Sequence, residues 1–495
     1  MAALPPKRSE QTVNVQASTA SARIRHHGKR IFQAATTGRL EQSWTSTPTT
    51  IDAWIYQHWN TLVARAREQA ENNDHARKFV QLCRDNIAGP NGFGLQAQIK
   101  DPNGSPDVRA SEAIEAAFAD FSKGRNFSVN KRSSRKAVER LIPGELAKTG
   151  EFIAIARYGE KLNKYGFAIQ VVDPVLLDAQ HFGDLGANKI RHGIEYDSNG
   201  APVRYYFRRM DERQVGYITG VSRDYDIVPA ENVCHIFMEE SVGQKRGLTW
   251  MRTALWRMRM LGGFEDAALV NARVGAAKMG FFRDPEGDEI EDIPMEGDPG
   301  TFEDIGSREL VQWNPQFPEQ SIDPFTKSML RSVASGLNVS YNNLASDLTS
   351  VNFSSIRQGA LDEREVWKGL QEMIIEQWCE WVYSKWLERA LLAQAITVAG
   401  KPLKFERIEK YKQVAWQPRR WGWIDPSSEM AANEKAIAMR IKSRSEVIAE
   451  TTGRDSSDVW AQINRDDQDM AALNVVPEPT AGAPAPQQPN DNAES

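Results

Sequence analysis

Apolar positions recur at steps of three and four over residues 51–63, placing Trp54, Ile55, Trp59, Leu62 and Val63 on one helical face, with Thr50 and Asp52 positioned to cap it. A second helix is predicted over 75–87 and stops at the Gly-Pro-Asn-Gly of 89–92. Residues 93–100 alternate like a strand, 110–121 read as a helix, and 132–148 as a helix broken by Pro143. Period-two patterning then takes over, with strands expected at 151–157, 167–173, 189–196, 203–208 and 232–237. Asp197-Ser-Asn-Gly200 is a hairpin-type connection among them. Helices that largely precede strands make residues 49–246 an α+β unit.

The texture changes after Gly247. Ala, Leu, Met and Arg without proline predict one long helix over 249–278, with Gly262-Gly263 as a point of bending. A shorter helix is expected from Asp323 as cap and Pro324 at the first helical position to Leu337. An Asn/Ser/Asp-rich loop spans 338–354, and a very long helix follows over 355–394. Along that helix Trp367, Leu370, Ile374, Trp378 and Trp381 form a continuous apolar seam. Seven of the fourteen tryptophans fall between 355 and 425, so a large packing surface is expected there. A β-like stretch at 403–416 and helices at 427–440, 443–451 and 456–470 complete the ordered part.

Composition changes this picture little. The 495 residues are 41% hydrophobic and 26% charged, which suits a chain with a buried core. A net charge of −5 supplies no global basic field for tight nucleic-acid binding. Cys83, Cys234 and Cys379 lie too far apart for a disulfide framework or a spaced metal site. No apolar run approaches the roughly 18–20 residues of a membrane span, and no secretory h-region opens the chain, so no membrane role is expected. Locally the charge is uneven. Residues 1–48 form a basic arm, read as a flexible tail, and 471–495 a Pro/Ala-rich tail expected to be disordered. Ten carboxylates crowd 284–304 with no Lys or Arg between them.

Catalytic constellations are missing from the sequence. The GQKRG of 243–247 is too short for a phosphate loop and lacks its Lys-Ser/Thr ending. There is no H-E-x-x-H, C-x-x-C or G-x-S-x-G. His26-His27 lacks a third ligand nearby, and the acidic stretch lacks the spacing of a calcium loop. No enzyme activity, metal or cofactor is expected.

Six islands carry a resemblance: RDNIAGPNGFGLQ (84–96), GELAKTGEFIAIARYGE (144–160), GQKRGLTWM (243–251), LNVSYNNLASDLTSVNFSSIRQGALDERE (337–365), WQPRRWGWIDPSSEMAANEKAI (416–437) and SRSEVIAETTGRD (443–455). In this order they resemble the lambda-type portal proteins of tailed bacteriophages, over roughly residues 50–470. Phe353 stands where the family more often has Tyr. The resemblance implies an α+β portal fold assembled as a ring, usually a dodecamer, at one capsid vertex, with double-stranded DNA passing through its channel. The implied partners are further copies of the chain, the terminase large subunit, head-completion and tail adaptor proteins, the major capsid protein and the scaffold.

On that plan 49–246 is the wing, 247–278 and 323–337 are the stem helices, and 279–322 is the clip. Residues 338–354 are the tunnel loop, 355–400 the long wing helix and 401–470 the C-terminal wing and crown. The channel-facing candidates are Asn342, Asn343, Ser346, Asp347, Thr349, Ser350, Asn352 and Ser354. Asp288, Glu289, Glu291, Asp292 and Glu296 are the candidates for docking terminase and adaptor. Arg252, Arg257, Arg259, Arg273, Lys327 and Arg331 are candidates for the channel wall or for pairing between subunits. A passage should not grip phosphates, because each retained contact adds affinity and slows transit. Two rivals remain: a DNA-binding ring that does not translocate, and a nuclease holding Mg²⁺ on the 284–304 carboxylates.

Overall fold

The computed structural model describes residues 45, 47–209, 224–276, 280–283, 309–312, 319–349, 353–422, 425–452, 454 and 456–473. His26-His27, the acidic stretch 284–304 and the Pro/Ala tail lie outside the described residues. Contacts separate Met1–Thr50 from a body of Ile51–Ser495, to which all described helices and strands belong.

The body opens with α1 (Ile51–Asn72), α2 (Asp74–Cys83) and β1 (Gly94–Ala97), then α3 (Val108–Phe121), α4 (Gly124–Phe127) and α5 (Arg135–Thr149). Asn73, Asp107 and Ser134 cap α2, α3 and α5 by accepting a backbone N–H three residues on. The buried face of α1 is Ile55, Trp59, Val63, Ala66 and Ala70; Trp54, expected there, is half exposed. Pro143 does not break α5. The helix runs through it, and its flanks Ile142, Gly144 and Leu146 are all buried, so packing holds a helix that propensity alone would interrupt.

Two antiparallel sheets follow. The first has the order β3-β2-β9, from β2 (Glu151–Tyr158), β3 (Phe167–Val172) and β9 (Val233–Phe237). The second runs β4-β5-β6-β7-β8, from β4 (Gly183–Leu185), β5 (Asn188–Arg191), β6 (Ile194–Tyr196), β7 (Pro202–Arg208) and β8 (Tyr225–Pro229). The single strand expected at 189–196 is thus a tight β5–β6 hairpin. It turns through His192 and Gly193, which both have positive φ. β4 and β8 were not apparent in the pattern because they are short and largely exposed. The Asp197–Gly200 turn joins β6 to β7 as expected.

β2 is buried along its first six residues because its two faces serve two cores. Phe152, Ala154 and Ala156 belong to the large helical core, whereas Ile153 and Ile155 pack with Ile194, Tyr205, Phe207 and Val228 of the second sheet. The helical core takes its bulk from the long helix. α9 (Phe353–Ile374) continues through a π-turn at Ile375–Cys379 into α10 (Glu380–Leu392). Trp367, Trp378 and Trp386 of that run are buried. Trp386 stacks on Phe121 at 5.8 Å between centroids, and Trp378 meets Phe152 edge-on at 5.6 Å. The apolar seam is therefore covered within its own subunit and gives no argument for a partner.

Between the sheets and the long helix lie α6 (Leu255–Ala276), β10 (Gly280–Arg283), β11 (Glu309–Gln312), α7 (Glu319–Gly336) and α8 (Tyr341–Ala345). Residues 250–254 are a series of turns, so α6 starts later than expected. α7 starts earlier. Asp323 is not its cap and Pro324 lies inside it. The expected strand at 403–416 is mostly something else: β12 (Thr397–Val398) and β13 (Lys401–Pro402) form a small hairpin, α11 (Ile408–Tyr411) follows, and only β14 (Val414–Gln417) is a strand, paired with β1. The chain closes with α12 (Pro426–Ala438), α13 (Arg444–Thr452) and α14 (Ser456–Ala472).

One crossing ties these layers together. Gly150 ends α5 with φ +84°, and a Cβ there would lie 2.2 Å from the Leu248 carbonyl carbon. A Cβ on Gly247 would lie 2.0 Å from the Gly150 oxygen, so the two backbones cross where only glycine fits. Beside the crossing, Arg246 and Glu151 are both fully buried. All five N–H donors of Arg246 are used. Nε and Nη2 reach the Glu151 oxygens at 2.7 and 2.8 Å, and the rest go to the carbonyls of Pro174, Leu177 and His192 at 3.0–3.2 Å. The guanidinium also sits 4.4 Å from the Trp59 ring centroid. Burial opposes ionisation of Glu151, but Arg246 and then His235 outweigh it and hold the carboxyl down at about 2.

Arg246→Ala strands that carboxylate, and removing one partner of a buried pair costs about 3–5 kcal/mol. Thermal unfolding should show a large loss of stability for Arg246→Ala and little change for Arg257→Ala on the exposed face of α6. Because the folded Glu151 value lies below the usual carboxylate value, its contribution is complete above about pH 4.5 and fades as pH falls towards about 2.

Candidate functional site at the helix pair and its connecting segment

α6 and α7 pack side by side. Phe264 of α6 meets Phe325 of α7 edge-on, 5.1 Å between centroids. At their roots Thr253 Oγ1 donates to the Gly336 carbonyl at 2.6 Å. Beyond their other ends β10 and β11 pair antiparallel, Gly280 opposite Gln312 and Arg283 opposite Glu309. The acidic stretch lies in the sequence between these two paired strands. Asp288, Glu289, Glu291, Asp292 and Glu296 themselves lie outside the described residues.

The six basic candidates divide into two sets. Arg252 lies in the turns before α6 and pairs with Glu240 at 2.5 Å; Lys327 pairs with Asp323 at 2.9 Å; the Arg331 guanidinium lies 5.4 Å from the Tyr341 ring centroid. Arg257, Arg259 and Arg273 are exposed on α6, and no ion pair joins them to the described residues of their own chain. Next to them Trp256, 70% exposed, and Met260, 52% exposed, stand one turn apart on bare helix surface.

The connecting segment is more ordered than an Asn/Ser/Asp-rich loop suggests. Asn342 and Asn343 belong to α8, and Ser340 caps it by accepting from Asn343 N at 3.4 Å. Leu344 is buried and plugs the segment into the core. Ser346 ends α8 in the left-handed region with φ 55°. Asp347 then accepts from Thr349 N at 2.9 Å, Thr349 Oγ1 at 2.6 Å and Tyr341 Oη at 2.8 Å, bonds that hold its carboxyl down at about 2. Ser354 falls in the first turn of α9, not in a loop. Ser350 and Asn352 lie outside the described residues.

Two residues that matter here carried no sequence signal. Glu363 of α9 is 7% exposed and accepts from Ser340 Oγ at 3.0 Å and from Asn343 Nδ2. Arg246 was hidden in the GQKRG island, whose meaning depends on Glu151, 95 residues away. Among the described residues no three His, Cys, Asp or Glu side chains are grouped to hold a metal, and no helix is long and apolar enough to cross a membrane.

Comparison with known proteins identifies the family. The family model described as phage portal protein, lambda family, matches residues 37–371. The chain belongs to the lambda family of phage portal proteins. It is 32% identical over 463 residues to the probable portal protein of Halomonas phage phiHAP-1, covering 90% of this chain and 88% of that one. Portal protein B of Escherichia phage lambda is 21% identical over 406 residues, 73% of this chain and 74% of its own. A chain from the neck of an empty gene transfer agent (GTA) particle aligns with 82% of this chain and 96% of its own, at 13% identity and a TM-score of 0.41. As a portal protein the chain is a structural component of the phage particle, at the portal vertex.

The root of the α6–α7 pair offers a direct test. A Cβ on Gly336 would meet Thr253 Oγ1 at 3.1 Å and the Ala254 Cβ at 3.6 Å, so alanine is tight and any branched side chain must push the helices apart. Gly336→Val should lower the unfolding temperature by several degrees, about 1–3 kcal/mol of overpacking. Gly336→Ala should lie between it and wild type in the same melting experiment.

Proposed function

We propose that this portal protein works as a closed ring, a dodecamer, whose α6 and α7 wall a channel for double-stranded DNA. The excursion at 284–304 docks the terminase large subunit during packaging and head-completion or tail adaptors afterwards. Capsid protein and scaffold surround the wing, and the 342–354 segment meets the DNA. The observation that carries the reading is the unsatisfied surface of the single chain. α6 leaves Trp256, Met260 and three arginines exposed and without ion-pair or ring partners among the described residues, and α12, α13 and α14 bury nothing among theirs. No described residue beyond Trp421 belongs to any of the three apolar clusters. Short helices without a core are marginal in water, so they favour neighbouring copies as their packing partners. Asymmetric surfaces that mate head to tail close into rings when the rotation closes.

The excursion supports docking by charge. Ten carboxylates per subunit, repeated around a ring, make a negative rim that steers a basic partner. The connecting segment supports the lumen assignment by composition. Asn, Ser and Thr are polar enough to stay wet, and Asp347 is its one charge between 342 and 354, so phosphates find little to grip.

Mass photometry of the purified chain should give one dominant species many times the 55.6 kDa subunit mass. Monomers and dimers at all concentrations and salt levels would refute the ring. Ser350→Arg or Asn352→Lys places a basic belt in the lumen of an intact ring, and should slow packaging or leave DNA retained after ejection from filled heads. Normal packaging and ejection in both variants, in rings shown to be intact, would mean that the segment does not meet the DNA.

A further inference from the structure

We propose that Glu363 is a positioning residue for the connecting segment: a buried carboxyl without a counter-ion that latches the first turn of α8 onto the long helix and whose charge state sets how firmly the segment is held. The proposal rests on the lumen assignment for its role in the channel, but not for the latch itself.

The geometry is specific. Ser340 Oγ accepts from Asn343 N and donates to Glu363 Oε2 at 3.0 Å, and Asn343 Nδ2 donates to the same oxygen. Both bonds come from the cap of α8, so one carboxyl oxygen from α9 organises the start of the segment from 20 and 23 residues away. The other oxygen, Oε1, is buried with no hydrogen-bond partner. A bare carboxylate oxygen in the interior is costly, and protonation at Oε1 removes the charge while leaving Oε2 free to accept both bonds.

Among the described residues no neighbouring cation pairs with it. On α2, Cys83 feels the Glu363 charge, but burial pushes its thiol far up and keeps it neutral, and Arg84 after it acts on that thiol. On α7, Lys327 pairs with Asp323 and Arg331 lies over Tyr341. Tyr341 itself donates to Asp347. On α9, Asp362 accepts from Gln358, Arg364 donates to the Gly422 carbonyl, and Glu365 pairs with Lys368. Burial accordingly raises the Glu363 carboxyl above its usual value, more than the bonds from Ser340 and Asn343 lower it. The sign follows. A carboxyl raised in the docked state favours docking when protonated, and that contribution is lost as pH rises through the raised value. Above that value the latch is weakened but not absent, because Ser340 and Asn343 still donate to the carboxylate, which suits a lining that must yield to a passing duplex and return.

The test is hydrogen exchange on assembled rings of wild type, Glu363→Gln and Glu363→Ala between pH 5.5 and 8, corrected for intrinsic exchange. Wild-type amides of 341–349 should lose protection as pH rises towards the raised value of the docked carboxyl, by at most about tenfold per pH unit, and level off above it. Glu363→Gln keeps an acceptor for both donors and cannot ionise, so it should stay protected with a flat profile. Glu363→Ala should be poorly protected and equally flat, while β2 and α10 remain protected in all three. A shared pH profile in wild type and Glu363→Gln overturns the proposal, and so does full protection in Glu363→Ala. If the alanine ring fails to assemble, the wild-type and glutamine comparison alone decides. Packaging runs as a separate readout: the expected exchange pattern with unchanged DNA transit would leave the latch standing and refute the lumen assignment.

Discussion

The fold depends on the crossing at which Arg246 and Glu151 meet. Five hydrogen bonds from one guanidinium join β2, the turn after β3, the β5–β6 hairpin and the strand-to-helix connection before α6. The Glu151 carboxylate adds a sixth bond, accepting from Gly247 N at 2.6 Å. Buried ion pairs are poor sources of net stability, because desolvation offsets their attraction. Their value here lies in specificity. Any other register of the 243–249 segment against β2 leaves a charge buried without its partner, so wrong packings are penalised heavily. The glycines at 150 and 247 make the approach possible, and Gln244 fixes its edge by donating to the Arg246 carbonyl at 2.8 Å.

A second buried pair does the same work at the other end of the core. Arg135 and Glu139 lie one turn apart on α5; Glu139 accepts from Phe93 N at 3.0 Å and Arg135 donates to the Phe93 carbonyl at 2.7 Å. The Gly-Pro-Asn-Gly-Phe turn is thereby locked onto α5, and Gly92 has no room for a side chain against Glu139. Between the two pairs, β2 divides its alternate residues between the helical core and the second sheet. Helices and sheets consequently cannot shift independently, and the α6–α7 pair projects from a base that is determined on every side.

How much of this was readable in the sequence follows from range. Patterns set within a dozen residues were readable: the α1, α3 and long-helix periodicities and the Asp197–Gly200 hairpin all had local signals. Failures came where tertiary context overrode local chemistry. Pro143 and Pro324 punctuate helices on paper and sit inside them in the fold. The Trp seam predicted a large partner and found it in α3, α5 and β2 of its own chain. Asn342 and Asn343, chosen as loop residues for their polarity, form a helical turn because Leu344 is buried and Glu363 binds the cap. Glu363 was invisible because a glutamate mid-helix is ordinarily a solvated one.

The distribution of satisfied and unsatisfied groups gives the architecture its logic. In the body the Arg246–Glu151 and Arg135–Glu139 charges are paired, Glu363 being the exception, and three free cysteines are inert because burial raises their thiols. Trp256 and Met260 leave bare apolar surface on α6, and the described residues of α12–α14 bury nothing. A subunit of the ring proposed above needs that separation. Head-to-tail closure requires two different faces of one chain to mate, and the angle between them must be the same in every copy. A base over-determined by buried pairs fixes the angle, while the exposed helices supply the mating surface. The connecting segment stands between the two regimes, anchored at Leu344 and Glu363. A rigid mount carrying a short adjustable element is what a wall that must stay closed around a moving duplex demands.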